Sequence, residues 1–442
     1  MIRIDSNRAS NQWSIHALDG AASRVVLKGQ SPTGAPQSVV GFTQDGSLAF
    51  IDDPDNRGRD VLYTVAMDGG AINVLLDVAK FDVDSAIEDP WTHTIVGAQH
   101  FEEIATQHFI DVQLAAVHAQ LRAKNVDGSM RLLNWSRDRR RVVVYMEGAL
   151  GAGAFYLYEP ATDKLKLIGK RYPELQGTAL GDRLAVNYPA RDGVRIPAYV
   201  TLPAGKAFKG LPLVVLVHGG PTSRDTFEFD WWAAFLASRG YAVVQPNYRG
   251  SGGYGHVWQE AGYQQWGKLM QSDVEDAVAV MTRSGQADPA RVCIIGASYG
   301  GYAALAGATL TPSRYRCAVS VAGVSDLRMM LANTADRSGA NSMASDWWRQ
   351  LIGDRDADKA RLIAMSPAEQ AAHVLAPILL IHGANDVVVP IAQSKRMADS
   401  LREAGKPVQF ITFPGEDHWL SDGATRVRML EEIETFLARH LH

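Results

Sequence analysis

Cysteine is almost missing from this chain: Cys293 and Cys317 are the only two in 442 residues. That count excludes a disulfide framework. Each lies in an apolar run, RVCIIG and YRCAVSVAG, so the sequence predicts two buried core thiols packing as small hydrophobes. No run of eighteen apolar residues occurs, so no membrane span is expected. The opening MIRIDSNRASNQWS lacks a charged stretch followed by an apolar one. No secretory leader is therefore expected, and with Met1 as the natural start the expected location is cytoplasmic. Excess charge is lacking too: 44 basic against 48 acidic residues leave a net charge of −4. This is too mild for a nucleic-acid-binding or polybasic membrane surface.

What is present divides into two patterns. Residues 1–185 show short alternating runs separated by turn pairs, as in VVGFTQDGSLAFIDD and VLYTVAMDGGAINVLL. WSIHALDGAASRVVL resembles VLYTVAMDGGAINVLL, and FTQDGSLAFID is echoed in WSRDRRRVVVYME. A repeat on the order of 40–50 residues, built of strands and turns, predicts about four β-propeller blades, an incomplete propeller-like domain; a non-repeating β-sandwich is the alternative. Helical spacing in FIDVQLAAVHAQLRAK predicts a helical insertion near 109–124. Residues 186–442 instead alternate unbroken apolar runs (LPLVVLVHGG, YAVVQPNYRG, ARVCIIGAS, YRCAVSVAG, APILLIHGAND, PVQFITFPG) with helical patterns. That predicts a mostly parallel, doubly wound sheet covered on both faces. Ser272 and Glu275 have capping-box spacing and predict a helix start there.

In that second half, GASYG (Gly296–Gly300) follows the run RVCII and precedes GGYAALAGA. G-x-S-x-G between a strand and a helix is the nucleophile elbow of an α/β-hydrolase, where flanking bulk cannot be accommodated. A serine hydroxyl needs a base and a group that orients it. The loops after the last two strands offer Asp386 in ANDVVVP and His418 in EDHWL, in the order this fold requires. Ser298 is thus the expected nucleophile, His418 the base and Asp386 its orienting carboxylate. Asp417 is the competing acid, but adjacency to His418 makes its geometry awkward, while His218 and His382 are read as structural. The Tyr299 amide and that of Gly220, with Gly219 second, in HGGP are the expected oxyanion donors.

HGGP, NYRGSGGYG, GASYGG, HGANDVVVP and GEDHW, in this order, resemble the prolyl oligopeptidase family of serine peptidases, and most closely its acylaminoacyl-peptidase-like branch. The resemblance covers the C-terminal half closely and the N-terminal half only through the repeats. It implies a propeller-capped α/β-hydrolase that cleaves short peptides and needs no metal or organic cofactor. By position it implies that Val324, Leu327 and Val389 wall a substrate pocket beside Tyr299. It also raises Glu102 and Glu103 as holders of a substrate N-terminus, with solvated charges near a helix end as the competing reading. Arg249 is expected to brace a loop, and Trp347 and Trp348 to pack near the site. Family propellers usually have seven or eight blades, so either the sequence begins partway through a longer protein or the cap is reduced; a half propeller leaves open strand edges, expected to be covered by a second subunit in a homo-oligomer. A carboxylesterase with the same triad is the alternative function, and a non-catalytic propeller scaffold a third.

Overall fold

A computed structural model describes the chain except residues 8, 21, 31–38, 125–127, 149–150 and 442. It forms two units: Met1–Thr178 with Gly253–Val257, and Ala179–Gly252 with Trp258–His442.

Among the described residues the first unit is four consecutive antiparallel meanders. They comprise β1 (Ile2–Asn7), β2 (Gln12–Asp19) and β3 (Ala22–Gln30); β4 (Val39–Phe42), β5 (Leu48–Asp52), β6 (Val61–Val65) and β7 (Asn73–Leu76); β8 (Val83–Glu88), β9 (Ile95–Phe101) and β10 (Ala105–Phe109); and β11 (Ser129–Trp135), β12 (Val142–Glu147), β13 (Ala154–Glu159) and β14 (Lys164–Lys170). Asp-Gly pairs make turns of the first two meanders, at Gly20, Gly46 and Gly69, all with positive φ. Between β4 and β5, Gly46 takes a φ of +81°, and the Asp45 carboxylate accepts from the Ser47 amide at 3.1 Å and the Thr43 hydroxyl at 2.6 Å. Stacking of the meanders explains a departure from simple alternation in β5. Leu48 and Phe50 pack with Ile15 and Val26 on one side, while Ala49 and Ile51 pack with Val83, Ile95 and Ala98 on the other. Both faces are covered, as in propeller blades, and each large apolar side chain so buried contributes about 1.5–3 kcal/mol. Between the third and fourth meanders α1 (Val112–Arg122) is capped by Asp111, which accepts from the Leu114 amide at 2.9 Å. Its Leu114, Val117 and Leu121 share a core with Met130, Trp135 and Val144.

The second unit is built on one eight-stranded sheet. In chain order its strands are β15 (Arg183–Pro189), β16 (Arg195–Thr201), β17 (Leu211–Val217), β18 (Ala242–Pro246), β19 (Ala287–Ala297), β20 (Cys317–Val321), β21 (Ile378–Gly383) and β22 (Val408–Phe413). In space they run β15-β16-β18-β17-β19-β20-β21-β22, antiparallel over the first three and parallel from β18 onward. The helices are α2 (Trp231–Ser238), α3 (His256–Glu260), α4 (Leu269–Arg283), α5 (Tyr299–Leu310), α6 (Leu327–Ser338), α7 (Met343–Ile352), α8 (Lys359–Ala364), α9 (Ala392–Glu403) and α10 (Gly423–Leu441). In β17, Leu213, Val215 and Val217 face α4, α5 and α9, while Val214 and Leu216 face α2 and α10. Two buried faces are why these strands read as unbroken apolar runs. Among the described residues no helix is long and apolar enough to cross a membrane.

Two expectations change. Cys293 and Cys317 are buried as expected, but they are not free thiols. They are directly paired across β19 and β20, with Cα atoms 4.8 Å apart, and are joined as a disulfide. The helix expected to start at Ser272 starts one turn earlier. Its cap position is Lys268, and Ser272 lies inside α4, donating its hydroxyl to Leu269 O at 2.8 Å.

Candidate active site

Ser298 sits at the end of β19, on the cap position of α5, with φ +59° and ψ −119°. A positive φ at a residue with a side chain costs on the order of 1–3 kcal/mol, and the surroundings must enforce it. Here they do. The Ser298 amide donates to Val321 O at 2.9 Å, and its carbonyl accepts from the Tyr302 amide at 3.0 Å. A Cβ at Gly296 would strike the Gly300 carbonyl, one at Gly300 would overlap Val217 O, and one at Gly301 would lie 2.7 Å from Gly323 Cα. Strand, turn and helix therefore meet at distances that only glycine permits.

Backbone bonds carry the same edge across the sheet: Ala322 donates to Ile381 O at 2.8 Å, and Ala384 to Phe413 O at 2.9 Å. Asp386 follows β21 and His418 follows β22, and Asn385 ties the two loops by donating to Glu416 O at 2.8 Å. His418 Nδ1 lies 2.6 Å from Asp386 Oδ2. Asp386 Oδ1 accepts from the Val388 and Val389 amides, both at 2.8 Å. His382 Nε2 lies 3.2 Å from Asp386 Oδ2 and 2.8 Å from Val389 O, while Nδ1 lies 2.7 Å from Ser394 Oγ. Two acceptors at Nε2 assign it the proton, leaving Nδ1 to accept from Ser394. Burial pushes the Asp386 carboxyl up, but hydrogen bonds from His382 and His418, the charge of His418 and the Val389 amide hold it well below the usual carboxylate range. An ionised Asp386 accepts a hydrogen bond from the Nδ1–H of His418, which keeps the proton on Nδ1 and leaves Nε2 as the basic atom. His418 and Asp386 are thus brought together; no hydrogen bond joins Ser298 to His418 in this structure. Such links are often long until a substrate is bound.

As the first helical residue of α5, Tyr299 has an amide without an intrahelical partner. In the loop after β17, a Cβ built on Gly219 would lie 3.3 Å from Ser298 Cβ and 3.9 Å from Oγ, so this backbone passes directly beside the serine. Gly220 has φ +113°, a conformation that favours glycine. His218 stacks on Tyr248 with ring centres 4.4 Å apart, and desolvation pushes its pKa down to about 4. Val324, Leu327 and Val389 are fully buried in the main core. The open space lies beside them: a cleft of about 170 Å³ lined by Met330, Asn333, Thr334, Arg337, Trp348 and Val388, among others. Of these, Trp348 was expected to pack near the site; Met330, Asn333, Thr334 and Arg337 were not singled out from sequence, although they follow the spacing of one face of α6.

Arg249 pairs with Asp273 and Asp192 and braces its loop. Trp348 packs on Trp266, with ring centres 6.1 Å apart, and Trp347 is 40% exposed. Glu102 and Glu103 lie exposed in the turn between β9 and β10, not at the start of α1, whose cap is Asp111.

Sheet order, elbow and strand-end dyad define the second unit as an α/β-hydrolase. Residues 227–442 match the profile described as the prolyl oligopeptidase family, and that part of the chain belongs to this family. The chain is 30% identical over 418 residues to dipeptidyl aminopeptidase BIII of Pseudoxanthomonas mexicana, covering 91% of this chain and 59% of that protein. It is 28% identical to acylamino-acid-releasing enzyme 2 of Oryza sativa subsp. japonica, over 57% of this chain and 33% of that one. Among solved structures, a puromycin-hydrolyzing peptidase of Mycobacterium tuberculosis superposes with a TM-score of 0.76 at 25% identity, over 98% of this chain and 66% of that one. The chain therefore spans less than two thirds of the length of these relatives.

Proposed function

We propose that the chain is a serine peptidase that hydrolyses short peptides through an acyl-enzyme on Ser298. The observation that carries this reading is the enforced φ of +59° at Ser298, on the same sheet edge as an Asp386–His418 pair at 2.6 Å. His418 Nε2 takes the serine proton as Oγ attacks the carbonyl, and returns it to the leaving amine. Asp386 holds the imidazole in the required tautomer. The Tyr299 amide, with that of Gly219 or Gly220, receives the developing oxyanion. The family match and the peptidase names of the relatives support peptides over other acyl compounds. A carboxylesterase would use the same groups. A fluorophosphonate probe is expected to label the wild-type protein and not Ser298→Ala; an unlabelled wild type would leave a scaffold role as the reading. Peptide anilide turnover is expected alongside nitrophenyl ester turnover, and ester turnover alone would make the chain an esterase.

A further inference from the structure

We infer that Trp419 is a specificity residue: its indole is the surface on which the leaving group of the substrate rests. The inference builds on the acyl-enzyme chemistry proposed above. His418 is almost enclosed, its side chain 9% exposed, yet the next residue stands out at 65% exposure. The two rings meet edge to face with centres 5.5 Å apart. A single exposed aromatic is ordinary on a protein surface; this one is held in place. The Trp419 amide donates to Asp417 Oδ1 at 2.9 Å, and Ser421 Oγ donates to Asp417 Oδ2 at 2.8 Å. Leu420, 2% exposed in the core against α10, takes φ +47°, and its carbonyl accepts from Arg426 Nε at 2.9 Å. These bonds and the buried Leu420 hold the backbone of the loop that carries the indole. Val387, 59% exposed, stands directly after Asp386 in the same way. In acyl transfer the imidazole passes its proton to the departing group, so that group lies nearest the imidazole. The indole on the imidazole edge is then the apolar face it meets, and aromatic or bulky apolar residues after the scissile bond are favoured.

Partitioning of the acyl-enzyme tests this. With a peptide methyl ester as acyl donor, added phenylalaninamide and glycinamide compete with water. The amine nitrogen bonds to the acyl carbon, the Ser298 Oγ–carbon bond breaks, and the amine proton passes through His418 to Oγ. The wild type is expected to prefer phenylalaninamide over glycinamide by about tenfold, the scale of an aromatic contact. Trp419→Ala is expected to bring the ratio close to one, and Trp419→Phe to keep most of it, with fluorophosphonate labelling unchanged in both. An unaltered ratio in a labelled Trp419→Ala overturns the inference. So does loss of labelling in both variants, which would make the indole a support of His418. Absent labelling of the wild type removes the acyl-enzyme reading itself, a separate failure.

Discussion

The pair His418–Asp386 is held by more than its own hydrogen bond. Four donors converge on the Asp386 carboxylate: two amides and two imidazoles. Asp386→Asn is expected to lower kcat by about 10⁴, the cost of a wrong imidazole tautomer in other triads, with KM little changed. A loss of tenfold or less would assign the orienting role elsewhere. The sign of the Asp386 shift fixes a second outcome. Its pKa is depressed in the fold, so its contribution to stability is fully present above the unfolded value near 3.9 and is lost as pH falls through the folded value. The carboxylate therefore stays ionised throughout the working range. Asp386 is therefore expected to add no proton of its own to the acid limb of kcat/KM above about pH 4. A two-proton slope would mean that Asp386 titrates there too. The strand-end positions of Ser298, Asp386 and His418 were legible because each follows an apolar run in a fixed order. The place of His382 beside Asp386 was not. GAND marks a turn after β21, but not that the turn brings the Asp386 carboxylate back to the His382 ring.

At the scale of elements, the second unit was the more readable. Its strands are covered on both faces, and continuous apolar runs report that directly. The first unit was readable through its repeat and its Asp-Gly turns. The two-sided burial of β5 was hidden, because blade stacking is a property of neighbouring sheets and not of one strand. The register that pairs Cys293 with Cys317 was hidden for the same reason. What holds the elbow together is the approach of α5 to β17 and β20. Gly300→Ala is expected to destabilise the protein by more than about 3 kcal/mol, because the new methyl has only the Val217 carbonyl to displace. Gly423→Ala, where nothing lies within 4 Å of the added methyl, is expected to be neutral or slightly stabilising at the start of α10. Urea unfolding of the two variants measures the difference. Equal midpoints would show that the close approach does not constrain the fold.

Across the whole molecule the chain does not divide once. It leaves the second unit for five residues, Gly253–Val257, which belong to the first. NYRGSGGYG, read from sequence as part of the hydrolase, gave no sign of this, because the partners of the excursion lie far back in the chain. The Gly255 amide donates to Asp82 Oδ2 at 2.9 Å, and the His256 amide donates to Gly58 O at 2.8 Å. The His256 ring lies 3.0 Å from Asp60 Oδ1 through Nε2 and 3.7 Å from Asp53 Oδ2 through Nδ1. The hydrogen bond with Asp60, opposed by desolvation and reinforced by the charges of Asp60, Asp82 and Asp53, raises its pKa to about 9. An imidazole raised in the fold stabilises fully below its unfolded value near 6.5, and that stability is lost as pH rises through about 9. The side chain is a third exposed, so solvent screening reduces the contribution to on the order of 1–2 kcal/mol. Amide hydrogen exchange at Asp60, Gly255 and His256, corrected for its intrinsic pH dependence, is therefore expected to show weakening protection between about pH 7 and 9.5. In His256→Gln protection should start lower and vary little over that range, because the amide side chain carries no charge to lose. The same pH-dependent weakening in His256→Gln would place its origin in another group and leave the excursion held by its backbone bonds alone.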